Sequence, residues 1–294
     1  MFLLLIWQLT LYAKDILVTT DADFDDLIAI TWLLHQEDVS IKGIIVEGDG
    51  WSDLPYNTQN VLDLLGLLKK NNIPVIAGAK EPLEPSQGIP SKYKERINAL
   101  FEVTLPKSPS KLEKSSAEQF IIQTLKHSKE KVLIIALSPI TSLAKAVAKE
   151  PLITKKIDAL FMTAHSPNKP QGYFPDSIFL DLKAAHIVFD SNIPVYLIDK
   201  EAGVHQVTQP WLEQFKKELP NTPEAQFTTE LLSNVLNNHT KKYYLWDVTT
   251  AILAIHPQLA TWHEIAWPNE KGTRCVYSAT SFSKEQFYKL LRQL

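Results

Sequence analysis

Four aspartates fall within six positions near the start of the chain: Asp21, Asp23, Asp25 and Asp26, in TTDADFDDLIAI at residues 19–30. An apolar, strand-like run precedes them and an apolar, helix-like run follows. Helix capping and the helix dipole explain one or two acids at such a turn. Four carboxylates packed this closely repel one another unless protons or a cation neutralise them. A hard divalent cation such as Ca²⁺, which takes about six to eight oxygen ligands, is therefore the natural partner.

Two other kinds of site are common at a first strand-to-helix turn. A phosphate-binding loop does not fit, because this turn has no glycine and its charge would repel phosphate. A Mg²⁺-dependent phosphatase is a closer alternative, since D-x-D turns after a first strand also supply an aspartate nucleophile. That alternative predicts a Lys and a Thr or Ser facing Asp21. The adjacent acids Asp25 and Asp26 at the start of the helix distinguish this turn from it.

Short apolar runs rich in Ile and Val alternate along the chain with segments of helical spacing. The strand candidates are DILVTT, IKGIIVEGD, IPVIAG, KVLIIAL, IDALFMTA and IPVYLID, and the helix candidates are residues 26–35, 57–70, 115–127, 140–148 and 182–190. This alternation predicts an α/β fold with a mainly parallel central sheet and helices on both faces. We expect a single domain at residues 14–294, mostly helical after Val204. Ligands bind such sheets at the carboxyl ends of the strands, where ILVTT delivers Asp21.

The segment of residues 81–114 interrupts this alternation. It contains five prolines and has no clear period, so it predicts a long surface excursion with a short helix near residues 93–101. Long loops in compact domains often cover functional sites.

Composition excludes several classes of partner. The 294 residues are 45% hydrophobic and carry a net charge of -3, without the concentrated basic surface that nucleic-acid binding requires. The apolar run at residues 2–12 is too short to span a bilayer, so no stable membrane anchor is expected. It fits a signal peptide at residues 1–13, which predicts export to the periplasm or outside the cell. No Lys or Arg precedes the run, so a retained N-terminal extension in a cytoplasmic protein is the alternative. The lone Cys275 excludes an internal disulfide framework.

The acidic turn resembles the D-x-D-x-G-x-D-D hallmark of the inosine-uridine-preferring nucleoside hydrolases, with Thr19 at the first acid and Asp23 in place of the glycine. VSIKGIIVEGDG resembles the second strand of that family, IPVIAGAKEPL its P-V-x-x-G-x-x-x-P-L segment, and LIIALSPITSLAKAV its G-P-L-T-N-L-A turn. FLDLKAAHIVF resembles its D-P-E-A-A-x-I-V-F stretch. YYLWDVTTAILAIHP is similar to a branch whose late helix opens Y-Y-F-W-D. The resemblance covers essentially the whole chain after the N-terminal run.

The resemblance implies a metal-dependent hydrolase of the N-glycosidic bond of ribonucleosides. In that family Ca²⁺ is held by positions that correspond here to Asp21, Asp26, Asp247 and the backbone carbonyl of Thr141. The ion holds a water and the ribose 2′ and 3′ hydroxyls, and Asp21 takes the proton of that water. The transition state would have oxocarbenium character at the sugar. The resemblance also implies a homo-oligomer.

Six residues are expected to contact the substrate on the same grounds: Asp25, Asp49, Asn168, Asp176, Ser177 and Trp246. Asp25 would orient the sugar, and Asp49 stands where many members have a ribose-contacting Asn. Trp246 either stacks on the base or is a core aromatic of its helix. The segment with Asp176 and Ser177 is shortened relative to the family, so the ribose clamp is altered. The alternative function is therefore a diverged protein that binds metal and a ribosyl ligand with a changed substrate or little turnover.

Overall fold

The structure, a computed structural model, describes residues 13–164, 176–199, 202, 204–238, 243–269 and 272–294. The sequence-predicted signal peptide and Asn168 therefore lie outside the described residues, apart from Ala13. Among the described helices, none has both the length and the apolar composition to cross a membrane.

An eight-stranded sheet forms the centre of the molecule, in the order β3-β2-β1-β4-β5-β6-β10-β9. Its strands are β1 (Lys14–Thr20), β2 (Val39–Val46), β3 (Val75–Ala77), β4 (Val132–Ala136), β5 (Ile157–Thr163), β6 (Val195–Ile198), β9 (Ala260–Asn269) and β10 (Gly272–Phe282). All neighbouring pairs are parallel except β9 and β10. The predicted mainly parallel sheet is confirmed. Chain order reverses between β1 and β4, and such a switch point is where sheets of this class bind ligands.

Eleven α-helices are described in addition. They are α1 (Phe24–Leu34), α2 (Tyr56–Leu67), α3 (Ser91–Asn98), α4 (Ala117–His127), α5 (Thr141–Lys149), α6 (Ser177–Leu180), α7 (Leu182–Phe189), α8 (Gln209–Glu218), α9 (Pro223–Asn238), α10 (Trp246–Ile255) and α11 (Lys284–Leu291). The excursion after β3 carries α3, within the region where a short helix was expected. A separate antiparallel ribbon consists of β7 (Gln206–Val207) and β8 (Tyr243–Tyr244). Strand β8 lies just before α10 in the chain.

Side chains of β1 alternate between the two faces of the sheet, and both faces are buried. Ile16 and Val18 pack into one hydrophobic cluster, which includes residues of α1 and α10, whereas Leu17 packs into the other, with residues of α4, α5 and α7. Strands covered on both faces read as continuously apolar runs, which is why ILV could be recognised in the sequence. This double burial also holds the end of β1 rigidly where the acidic turn begins.

Candidate active site

A cavity of 510 Å³ opens at the carboxyl ends of the parallel strands. Leu137 follows β4, Thr163 ends β5 and Ile198 ends β6, and all three contribute to its wall. Its floor is acidic, formed by Asp21, Asp23, Asp25, Asp26 and Asp247. Its position agrees with the ligand site expected at the switch point of the sheet.

A tight turn between β1 and α1 presents the first acids. Ala22 has φ of 57°, in the left-handed region that side chains other than glycine rarely adopt, and its N–H donates to the Thr20 hydroxyl at 2.9 Å. The Thr20 hydroxyl donates to Asp26 Oδ1 at 2.5 Å, and the Asp21 N–H donates to the same oxygen at 3.2 Å. Strained turns of this kind persist only where surrounding bonds determine them, as these do. Asp23, at the N-cap of α1, accepts from the Phe24 N–H.

Helix α10 brings the last acid to the floor by packing beside α1. The Asp247 N–H donates to Asp25 Oδ2 at 3.0 Å, and Thr163, at the end of β5, donates to Asp247 Oδ1 at 2.5 Å. Carboxylate oxygens of Asp25, Asp26 and Asp247 consequently lie within 4.8 Å of one another. Residues more than two hundred positions apart thus form one buried cluster.

Asp21, the first acid of the turn, lines the same cavity. Its Oδ2 accepts the Trp51 N–H at 2.8 Å, and its carbonyl oxygen accepts the Ser52 hydroxyl. Gly50 lies so close that a Cβ atom there would come within 1.9 Å of Asp21 Oδ2. The segment after β2 therefore holds Asp21 in one orientation and requires glycine to do so.

Burial and mutual repulsion change the acidity of the floor. Burial, followed by the charges of Asp25 and Asp49, raises the pKa of Asp21 to about 7, although the Trp51 N–H opposes the shift. Burial raises the pKa of Asp25 to about 6, against hydrogen bonds that include the Asp247 N–H. Burial also raises the pKa values of Asp26 and Asp247 well above the ordinary aspartate range. Without a cation, the folded floor therefore retains protons that free aspartates would lose.

The cluster has the properties that a hard cation requires. Asp26 Oδ2 is buried and, within the part of the chain that the structure describes, has no hydrogen-bond partner. A buried carboxylate oxygen without a partner is costly unless an ion or a proton satisfies it. The donors converging here are all oxygens, the ligands that Ca²⁺ and Mg²⁺ prefer. The residues present therefore fit a divalent cation.

Aromatic side chains form the cavity wall above this floor. Phe24 meets Tyr243 edge to face, with ring centroids 4.8 Å apart, and meets Phe101 in the same way at 5.9 Å. Trp246 lines the cavity, and its ring lies 5.8 Å from that of Tyr244. The sequence singled out only Trp246 of these residues. No role was expected for Phe24, Phe101 or Tyr243, and only packing shows that they meet.

Four of the six residues expected to contact the substrate line the cavity: Asp25, Asp176, Ser177 and Trp246. Asp176 caps α6, since its Oδ1 accepts the N–H groups of the two residues after Ser177 at 3.0 and 3.2 Å. Asn168 lies outside the described residues.

Asp49 and Thr141 lie apart from the described lining of this cavity, in contrast to the expectation from sequence. Thr141 starts α5, and its hydroxyl contacts Asp49 Oδ2 at 2.5 Å and Asp181 Oδ2 at 2.6 Å. A hydroxyl carries one hydrogen, so both contacts are hydrogen bonds only when one of these carboxyl groups holds a proton. Burial raises the pKa of Asp49 to about 6, so Asp49 holds such a proton below about pH 6. The residue after β4 that lines the cavity is Leu137.

Residues 16–288 match the family model described as inosine-uridine preferring nucleoside hydrolase. The pyrimidine-specific ribonucleoside hydrolase RihA of Enterobacter sp. (strain 638) is 27% identical over 261 residues, which cover 85% of this chain and 81% of that protein. A plant nucleoside hydrolase structure, PpNRh1, superposes with a TM-score of 0.82 at 20% identity, covering 96% of this chain and 98% of that one. The purine-preferring ribonucleoside hydrolase from Gardnerella vaginalis superposes with a TM-score of 0.80 at 20% identity, covering 95% and 97%.

Proposed function

The chain belongs to the inosine-uridine preferring nucleoside hydrolase family, whose members cleave N-glycosidic bonds, and on that premise we propose that it hydrolyses ribonucleosides with the help of one Ca²⁺ ion. The observation that carries the proposal is the convergence of Asp25, Asp26 and Asp247 at the floor of the cavity, with one buried oxygen of Asp26 left unpaired. Similar proteins differ in whether they prefer purines or pyrimidines, so the base stays open.

Three aspartates would hold the ion: Asp26 and Asp247 of the converging cluster, and Asp21, which lines the same cavity. The fourth ligand expected from sequence was the carbonyl oxygen of Thr141, which starts a helix outside the described lining. The Leu137 carbonyl is the better candidate, because Leu137 lines the cavity at the end of β4. When bound, Ca²⁺ would offset part of the negative charge of the floor. It would also offer positions for the vicinal hydroxyls of a ribose and for a water.

Asp21 is the proposed general base. It faces the cavity, and its orientation is set by the Trp51 N–H and the Ser52 hydroxyl. Its carboxylate would take a proton from water as that water attacks the anomeric carbon. The bond from this carbon to the base nitrogen breaks, and the base leaves with the electron pair and takes up a proton from solvent. The remaining negative charge of the floor stabilises the positive character that develops on the sugar. Asp25, held by the Asp247 N–H, orients a ribose hydroxyl.

The walls of the cavity suit a planar, apolar group at the far end of the substrate. Aromatic residues dominate them, and Trp246 directly precedes the acid Asp247 in the chain. A base can stack on such a ring while the sugar lies on the floor. This division of the cavity into an acidic floor and an aromatic wall is what a nucleoside, with its polar sugar and planar base, requires.

The test is release of reducing sugar from a panel of purine and pyrimidine ribonucleosides, with and without a Ca²⁺ chelator. We expect turnover that chelation abolishes and that Asp21→Asn lowers by at least about a hundredfold, the scale of a general base. Asp15→Asn is the matched control, since Asp15 lies on β1, the strand that ends just before Asp21, but pairs with Lys42 away from the cavity.

Two results would contradict this proposal in different ways. Turnover that survives chelation and Asp21→Asn would exclude the assigned mechanism. Absence of turnover on every nucleoside, while calorimetry still shows Ca²⁺ binding, would favour the alternative function, a protein that binds a ribosyl ligand without efficient hydrolysis.

A further inference from the structure

The segment of residues 50–53 lies between the acidic turn and helix α3. On the side of the turn, it holds Asp21 through the Trp51 N–H and the Ser52 hydroxyl. On the side of α3, Asp53 makes the contacts. One short segment thus joins the proposed catalytic base to a helix of the cavity wall.

Asp53 binds two residues that lie one turn apart on α3. Its Oδ1 accepts from the Lys94 ammonium at 3.0 Å and its Oδ2 accepts from the Asn98 amide at 3.1 Å, while its own N–H donates to Asn98 Oδ1 at 2.9 Å. Residues four apart share one face of a helix, which lets a single carboxylate engage both. The Lys94 side chain is only 17% exposed, so its ammonium depends on this partner.

Helix α3 is short and largely exposed, and its Lys94 ammonium also lies 3.5 Å from the Ser52 carbonyl. It has eight residues, SKYKERIN, of which only Ile97 is buried, and no side chain caps its N-terminus. A helix this short is not stable in water by itself. Apart from Asp53, a side-chain bond reaches it from Asn60, whose amide donates to the Asn98 carbonyl at 3.1 Å.

The residues that α3 contributes to the cavity are Tyr93, Arg96 and Ile97. Tyr93 directly precedes Lys94, and Arg96 and Ile97 lie between Lys94 and Asn98. The orientation of this wall therefore depends on the Asp53 contacts.

We propose that Asp53 is a positioning residue that holds α3 against the cavity and thereby sets the affinity for substrate. The inference rests on the proposed function. Because Asp21 is held by residues 51 and 52 rather than by Asp53, the chemical step should be little affected. Loss of Asp53 should therefore raise KM more than it lowers kcat.

The test compares the wild-type protein with Asp53→Ala and with the more conservative Asp53→Asn. In Asp53→Ala we expect KM for the best nucleoside to rise about tenfold, with kcat within about twofold, because two side-chain hydrogen bonds are lost. Amide hydrogen exchange in the peptide covering residues 91–98 should become about tenfold faster. Asp53→Asn keeps one oxygen acceptor, so its KM and its exchange rate should lie between those of the wild type and Asp53→Ala.

The control is Asp63→Ala. Asp63 also binds a lysine and a neighbouring segment, through Lys107 at 2.8 Å and the Ser108 N–H at 2.8 Å, but none of these three residues lines the cavity. This variant should leave KM and exchange of residues 91–98 unchanged, whatever it does to thermal stability.

Unchanged exchange in α3, or faster exchange with an unchanged KM, would overturn the role of Asp53. If the wild-type protein hydrolyses no nucleoside, the proposed function fails instead. In that case exchange of residues 91–98 would still decide whether Asp53 holds the helix.

Discussion

Trp246 begins α10, lines the cavity and directly precedes Asp247 in the chain. Trp246 has two candidate roles, stacking on the base of the substrate and packing as a core aromatic, and each requires a different property of the ring. Packing requires only volume, whereas stacking requires an aromatic face toward the ligand. The two roles can therefore be separated by substitution.

At the scale of this residue, we predict that Trp246→Ala lowers kcat/KM about tenfold or more, because stacking of a base on an aromatic ring contributes about 1–3 kcal/mol. Trp246→Phe keeps a face and should retain most of the activity. Steady-state kinetics on the preferred nucleoside checks this. Trp262→Ala is the control, since Trp262 packs on Phe161 and Tyr196 outside the described cavity lining. Equal kinetic effects of Trp246→Ala and Trp262→Ala would show that the stacking role is absent.

Among the elements, the last residue of strand β5 supports the start of helix α10. The Thr163 hydroxyl donates to Asp247 Oδ1 at 2.5 Å and contacts the Thr250 hydroxyl, one turn further along α10, at 2.7 Å. Partners of this kind orient a metal ligand without touching the metal. The end of β5 thus takes part in the acidic floor although Thr163 has no place in any motif.

Replacement of this threonine should weaken metal binding without removing a proposed ligand. We predict that Thr163→Val raises the Kd for Ca²⁺ about tenfold or more, the usual effect of losing a bond that orients a ligand. Isothermal titration calorimetry on chelator-treated protein measures it. In the control, Thr31→Val, the lost hydroxyl donates only to the Leu27 carbonyl within α1. A Kd equal to that of the wild type would mean that Asp247 needs no support from β5.

The elements differ in how far sequence could predict them. The strand segment DILVTT falls on β1, because burial of both faces leaves a continuous apolar run that is hard to mistake. The acids Asp21, Asp25 and Asp26 could be named because like charges crowded into one turn demand an explanation, and Asp247 because it falls on a ligand position of the family that the sequence resembles.

Contacts that depend on packing could not be named from sequence. A main-chain oxygen has no residue type to mark it, so Thr141 was chosen by register with the family motif, whereas Leu137 lines the cavity. Asp49 stands where a substrate contact was expected, but its Oδ2 contacts the Thr141 hydroxyl. The wall residues Phe101 and Tyr243, far apart in sequence, both contact Phe24.

In the molecule as a whole, buried carboxyl groups make stability depend on pH. Besides the floor, Glu47 is fully buried, and burial together with the charge of Asp49 raises its pKa to about 8. The Ala79 N–H, the Ser142 N–H and the Ser142 hydroxyl all donate to Glu47. Groups whose pKa is raised by folding bind more protons in the folded than in the unfolded state. Their contribution is present at low pH and is lost as pH rises through the folded pKa values.

We therefore predict that the Tm of chelated protein falls between pH 5 and pH 8, the range set by the raised pKa values of Asp21, Asp25 and Glu47. Differential scanning calorimetry across this range checks it. Ca²⁺ should restore the Tm most at pH 8, where it replaces lost protons at the floor. Glu47→Gln should flatten the fall, while Glu213→Gln, at an exposed position of α8, should not. A Tm that rises from pH 5 to pH 8 in the chelated wild type would contradict the assignment.

The bond between the Asp247 N–H and Asp25 joins residues 222 positions apart. Nearly the whole chain must therefore emerge from the ribosome before the acidic floor can close, and contacts of such long sequence separation form slowly. A partly synthesised chain would carry the first turn of acids without its counterpart on α10. On the proposed function, ion binding would consequently be tied to the last stages of folding, because it requires that Asp25 and Asp247 have met.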